Sequence, residues 1–200
     1  MPRLRELPFT AMAAPHVPAP ESRREQIMRT AAVLFARHGY HGVSIVDLGA
    51  AVGISGPALY RHFPGKDALL AELLIDISER LLAGGRERAE GEPRAVLASL
   101  VDFQLAFALR EPELIVVQDR DLDNLPDADR RRVRRVQRTY VEIWVDTLRR
   151  LHPGLSPDQA RIAAHGTFGL LNSTPHSSGS TPDEIAAPLR RMALAALDAL

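Results

Sequence analysis

The sequence of 200 residues contains no cysteine. Disulfides, thiolate metal sites, iron–sulfur clusters and a cysteine nucleophile are thereby excluded. Lysine is almost absent as well: of the 25 basic residues only Lys66 is not an arginine. Long apolar runs are missing. The longest, Ala31–Ala36 and Met192–Leu197, reach about six residues, against the ~20 that a membrane-spanning helix needs. Arg3 and Arg5 are followed by no apolar stretch of the secretory type, so a cytoplasmic protein without a membrane partner is expected. Excess charge of one sign is also missing, since 25 basic residues face 25 acidic ones. That excludes DNA binding by bulk charge alone, but not a basic patch on one face. HExxH, GxSxG and phosphate-loop motifs do not occur. His38 and His41 straddle a glycine turn without carboxylates at ligand spacing, so no metal, cofactor or enzymatic centre is expected.

What is present is a chain that is 46% apolar and 25% charged, the balance of a folded protein with a core. Residues 1–20 carry five prolines and no helical period, which predicts a disordered arm. Met12 offers a second start beside Met1. From Ser22 onward, helix signals recur in order. Ser22-Arg23-Arg24-Glu25 is a capping box. Ile27, Ala31, Leu34 and Phe35 then form one apolar stripe, and Gly39 stops the helix. Ser44 opens a short second helix that Gly53 closes. Ser55 opens a third, with Pro57 in its first turn and Pro64-Gly65 as its end. A longer helix is expected from Lys66 to Gly84-Gly85. Further helices are predicted at about 93–110, 112–119, 127–151, 156–172 and 182–199. Ser156-Pro157-Asp158-Gln159 and Thr181-Pro182-Asp183-Glu184 mark two of those starts. The fold class is therefore all-α. Val43–Val46 and Ile115–Val117 could form short strands, but each sits directly behind a helix start.

Residues 43–66 are the informative block. Two short helices joined by a tight turn at Gly53 make a helix-turn-helix, whose second helix suits the DNA major groove. Ile45, Leu48, Val52, Ile54 and Leu59 would hold the pair together. Ser55, Gly56, Pro57, Tyr60, Arg61 and His62 remain outward on the third helix. They are small residues that permit close approach, or groups able to bond phosphates and base edges.

Together with Phe35-Ala36-Arg37-His38-Gly39-Tyr40, Gly42-Val43-Ser44 and Lys66-Asp67-Ala68-Leu69, this block resembles the TetR/AcrR family of bacterial transcriptional regulators. The resemblance covers about residues 22–70. It implies a three-helix DNA-binding unit at 21–66 and a helical ligand-binding and dimerisation unit at 67–200. It also implies a homodimer on a near-palindromic double-stranded operator, released by a small-molecule effector. Carried over position by position, Ser44, Ser55, Tyr60, His62 and Lys66 correspond to phosphate contacts, and Arg61 to a groove-facing position. Gly56 and Pro57 depart from the family pattern, which often has a basic or polar residue and then Gly. Specificity would then rest on Arg61, van der Waals contact and DNA shape. Arg23, Arg24 and Arg29 are either an ordinary solvated face or backbone contacts. Arg3 and Arg5 could reach a minor groove. A ligand-activated regulator, an adaptor on a degenerate DNA-binding unit and a small-molecule enzyme remain as alternatives.

The second half says less. Phe103, Phe107, Tyr140, Trp144, His165, Phe168 and Asn172 are candidate effector contacts, because small-molecule pockets are mostly apolar with a few polar groups. The run Arg130–Arg135 reads as a solvated, salt-bridged helix face. Small residues in the last two helices suit close helix approach, and in the family these helices pair across the dimer axis. The string Phe168–Ser177 is similar to a subgroup of these regulators common in actinobacteria. That similarity implies an acyl-CoA or another lipid-like effector.

Overall fold

The computed structural model describes residues 22–176 and 181–200. The expected arm, with Arg3 and Arg5, lies outside the described residues, as do 177–180. Among the described residues every regular element is helical, and Val43–Val46 and Ile115–Val117 form no strand.

Three helices form a head: α1 (Arg23–His38), α2 (Ile45–Ala51) and α3 (Gly56–Leu59). Complete capping boxes start α1 at Ser22 and α2 at Ser44, satisfying amides that a helix start leaves unpaired. Ile27, Phe35, Leu48, Leu59 and Phe63 are fully buried and make the small core of the head. The turn between α2 and α3 needs two glycines. Gly53 has φ 70°, a conformation that costs glycine nothing. Gly49 meets the next strand of chain so closely that a Cβ would lie 2.8 Å from the Ile54 carbonyl oxygen. α3 is shorter than the sequence predicts. After Leu59 the chain closes with three-residue bonds, Arg61 N–H to Ala58 O (3.3 Å) and His62 N–H to Leu59 O (2.9 Å). Such bonds tighten a last turn, here between the buried anchors Leu59 and Phe63.

α4 (Lys66–Arg88) runs from the head into a body made of α5 (Pro93–Arg110), α6 (Pro112–Asp121), α7 (Asp127–Leu151), α8 (Pro157–Leu171) and α9 (Pro182–Asp198). Gly84-Gly85 does not end α4, contrary to the sequence reading. A Cβ on Gly84 would lie 2.1 Å from Phe103 Cζ, and one on Gly85 would lie 2.7 Å from Tyr140 Cε2. The pair is a seat for two aromatic rings, and packing outweighs the roughly 1 kcal/mol per glycine lost in helix propensity. α7 buries more than one stripe: besides Val133, Tyr140 and Thr147, a broader face is inside. Val141, Trp144, Val145 and Leu148 are inside too, because α4, α5 and α8 all pack on it. The arginine run on α7 forms surface ion pairs, Arg132 with Glu79 (2.8 Å), Arg134 with Asp123 (3.0 Å) and Arg130 with Asp127. α9 packs on α5 and α8, anchored by buried Ala193 and Leu197. Its outer side and that of α8 carry exposed Met192 (55%) and Ile162 (71%).

Candidate nucleic-acid interface and effector cavity

The α3 region presents one continuous outer edge. Ser55 caps α3, its oxygen accepting the Ala58 amide (3.3 Å), and its side chain stands at the surface. Pro57 and Arg61 are exposed, and Tyr60 is 54% exposed although it is a large aromatic residue. A tyrosine ring left in water beside two buried anchors is positioned for something other than the core. Gly56 and His62 are half-buried, and a Cβ on Gly56 would touch Ile45. Ser44 stands exposed at the start of α2. Its hydroxyl donates to Asp47 Oδ2 (2.6 Å), and its amide and hydroxyl hold the Asp47 carboxyl below the usual range. The structure brings Ser44 and Ser55 to the two helix N-termini of the motif, where backbone amides and helix dipoles favour anions.

Lys66 is half-buried, and its ammonium group is already engaged. Nζ donates to the carbonyls of Tyr40 and Val43 (2.8 Å each) and lies 4.2 Å from the centre of the Tyr40 ring. Two of its three N–H groups therefore hold the α1–α2 loop, which leaves one for an outside acceptor. The Tyr40 hydroxyl donates to Asp67, so the loop is fastened twice to the first turn of α4. Arg23 and Arg24 are spent on the protein itself. Arg23 donates to the Val52 carbonyl (3.2 Å). Arg24 donates to Glu72 (2.7 Å) and to the His62 carbonyl, and lies over the Phe63 ring.

The end of α6 grips the head. Arg120 donates to the carbonyls of Phe35 and Ala36 at the end of α1 and pairs with the buried carboxylate of Asp121. Asn124, just beyond, donates to Asp121 (3.3 Å) and lies 2.9 Å from His41 Nε2. The residues before Arg120 face the other way. Gln118 and Asp119 line a cavity of about 190 Å³ between α4, α5, α6, α7 and α8.

Four of the seven expected effector contacts meet at this cavity: Tyr140, His165, Phe168 and Asn172. The other three do not line it. Trp144 is fully buried behind the wall, in edge contact with Tyr140 and Phe168. Phe103 lies against Gly84 with Arg88 over its ring. Phe107 is buried beneath Arg80. Aromatic residues at helical spacing went mostly into the core, as packing demands. Sequence reasoning missed Ser78, Gln104, Gln118, Asp119 and Gln137, which also line the cavity. Gln104 carried a signal: it is a lone polar side chain within the apolar stretch 103–109, and it is only 2% exposed. Tyr140 Oη donates to Gln104 Oε1 (3.0 Å), and Gln104 Nε2 donates to Asn172 Oδ1 (2.9 Å). Burial raises the hydroxyl pKa of Tyr140 and the carboxyl pKa of Asp119. Among the described residues no three His or carboxylate groups cluster to hold a metal ion, and no helix is long and apolar enough to cross a membrane.

Known proteins match this architecture along most of the chain. Residues 27–73 match the family model of bacterial regulatory proteins, tetR family. Residues 90–197 match that of the tetracyclin repressor-like C-terminal domain. The HTH-type transcriptional repressor Rv1474c of Mycobacterium tuberculosis is 31% identical over 167 residues, covering 72% of this chain and 88% of that protein. The HTH-type transcriptional repressor KstR2 of Mycolicibacterium smegmatis is 29% identical over 143 residues, 68% of each chain. A solved TetR-family transcriptional regulator from Bordetella parapertussis matches with a TM-score of 0.79 at 28% identity, covering 88% of this chain and 95% of that one. These relatives are regulators and not enzymes. The chain belongs to the TetR family and is a DNA-binding transcriptional repressor.

Proposed function

We propose that the protein is a cytoplasmic homodimer that occupies a near-palindromic operator and leaves it when a small molecule enters the α4–α8 cavity. Residues 21–66 are the DNA-binding domain and 67–200 the effector and dimerisation domain. The observation that carries the DNA side is the outer edge of α3, with Tyr60 and Arg61 exposed beside two capped helix starts. Ser44, Ser55, Tyr60, His62 and the remaining N–H of Lys66 face phosphates, and Arg61 reads a base edge. Gly56 and Pro57 let the backbone approach the groove. A dimer through α8 and α9 would cover Ile162 and Met192 and set two recognition helices about 34 Å apart, one turn of DNA.

Release is a coupling of a few kcal/mol between cavity and head. Both connecting elements touch both sites. α4 supplies Ser78 and Leu81 to the cavity and Lys66 to the loop, and α6 supplies Gln118 and Asp119 to the cavity and Arg120 to α1. The lipid-like effector implied by the Phe168–Ser177 string gains little support from the lining. No Arg or Lys lines the cavity to meet the phosphates of a coenzyme A.

The test is operator binding by gel shift and footprinting with genomic fragments at moderate salt. Specific protection of a symmetric site is expected, and its absence overturns the reading. Lys66→Ala should weaken binding to all sequences about equally and lower the salt slope by roughly one. An unchanged slope would make Lys66 a loop fastener only.

A further inference from the structure

The cavity also specifies a charge type. We infer that the effector is a small organic cation, a primary amine on an apolar body about the size of one ring, held by Asp119 and Gln118. This rests on the cavity being the effector site. Size is the first constraint. At about 190 Å³ the cavity is somewhat larger than the ~150 Å³ cavity that takes up benzene and smaller than the ~300–1,000 Å³ of drug-sized pockets.

The hydrogen-bond inventory is the second constraint. Three donors on the walls are used within the protein. Tyr140 donates to Gln104, Gln104 to Asn172, and Ser78 Oγ to the Leu74 carbonyl (2.7 Å). On α6 the situation is reversed. Gln118 Oε1 is buried with no partner, an acceptor left unsatisfied until a donor arrives. The neighbouring Asp119 is exposed and has no ion-pair partner among the described residues; partial desolvation raises its pKa. Arg88, close enough to act on Tyr140, is turned onto the Phe103 ring and the Gly84 carbonyl (2.7 Å). One wall thus offers a free acceptor and a negative charge, and no Arg or Lys in the lining answers them; the titratable base there is His165. Leu81, Val141 and two aromatic rings supply the apolar part of the lining. The Tyr140 and Phe168 rings stack at 5.7 Å, and such ring faces attract both hydrocarbon and positive charge. A free carboxylate or a phosphate would instead stand beside the like charge of Asp119, with no Arg or Lys in the lining to offset it.

Three probes of one shape separate the possibilities: benzylamine, benzyl alcohol and benzoate, titrated calorimetrically into the full chain, with an acyl-CoA as a fourth. Benzylamine should bind at least tenfold tighter than benzyl alcohol, and benzoate should not bind. Asp119→Asn should remove the tenfold preference and leave benzyl alcohol binding unchanged. Gln118→Leu, a second variant on the same wall, should weaken the amine without lowering the melting temperature of the free protein. Silence of the amine, a preference that survives Asp119→Asn, or binding by benzoate or acyl-CoA in its place overturns the assignment. Operator binding is measured without any probe, so failure here leaves the repressor reading standing. Loss of operator binding with amine binding intact separates the two in the other direction.

Discussion

The head and the body treat polar groups in opposite ways. α1–α3 bury Ile27, Phe35, Leu48, Leu59 and Phe63 and turn Ser44, Ser55, Tyr60 and Arg61 outward. The body keeps polar groups inside, with Ser78 and Gln104 each at most 2% exposed, and leaves Ile162 and Met192 outside. Outward polar groups suit a charged polymer, inward ones a small molecule, and outward apolar ones a second copy. The difference teaches that the two halves demand different reasoning. The head is read from which residues leave the core, and the body from which polar residues enter it.

The contrast can be broken at its weakest core. Phe35→Ala should cost about 3–5 kcal/mol, the usual price of emptying a full aromatic site. Denaturant melts check the size. Hydrogen exchange should show residues 23–63 opening first while Tyr140 and Trp144 stay protected. Equal loss of protection in both halves would mean that head and body unfold as one unit. Gly85→Ala has the next largest effect and tests the body. The added methyl meets Tyr140, whose hydroxyl is tied to Gln104, so about 1–3 kcal/mol of overpacking is expected. Effector binding should fall, while operator affinity without effector stays within about twofold. Ser44→Ala should be mildest, lowering the melting temperature by about 2–4 °C. It also removes an acid dependence. The folded Asp47 carboxyl titrates below its ordinary 3.8, so its contribution is present above that value and is lost as pH falls through the lower folded one. Melts of wild type and Ser44→Ala should therefore converge as the pH drops below about 4.

The head was legible in the sequence because its signals are local. Both capping boxes, the Gly53 turn and the Leu59 and Phe63 anchors lie within a few residues of the structures they cause. The recognition helix itself was overestimated, since Ser55 and Pro64 mark the limits of a segment but not how tightly it winds. In the body, the helix starts at Ser156 and Thr181 were equally plain, yet the cavity was only half visible. Gly84-Gly85 carries the local signature of a stop, and only the distant Phe103 and Tyr140 explain why the helix continues. Trp144 and Phe107 carry the local signature of ligand contacts and are packed in the core. The cavity is assembled from five helices spread over residues 78–172, and no short spacing encodes such a meeting.

The α6 terminus has a consequence for how the protein can change over time. Gln118 and Asp119 face the cavity, and Arg120 holds the carbonyls of α1. Along a helix these positions are separated by about 1.5 Å of rise each, so the cavity wall and the grip on α1 occupy a single turn. No chain of intermediate side chains has to be maintained between them. On the proposed reading, the lining at 118 and 119 is free to drift toward a new effector while the grip on α1 stays as it is. Replacing Arg120 would cut that grip for every effector and leave the tie that Lys66 makes from α4.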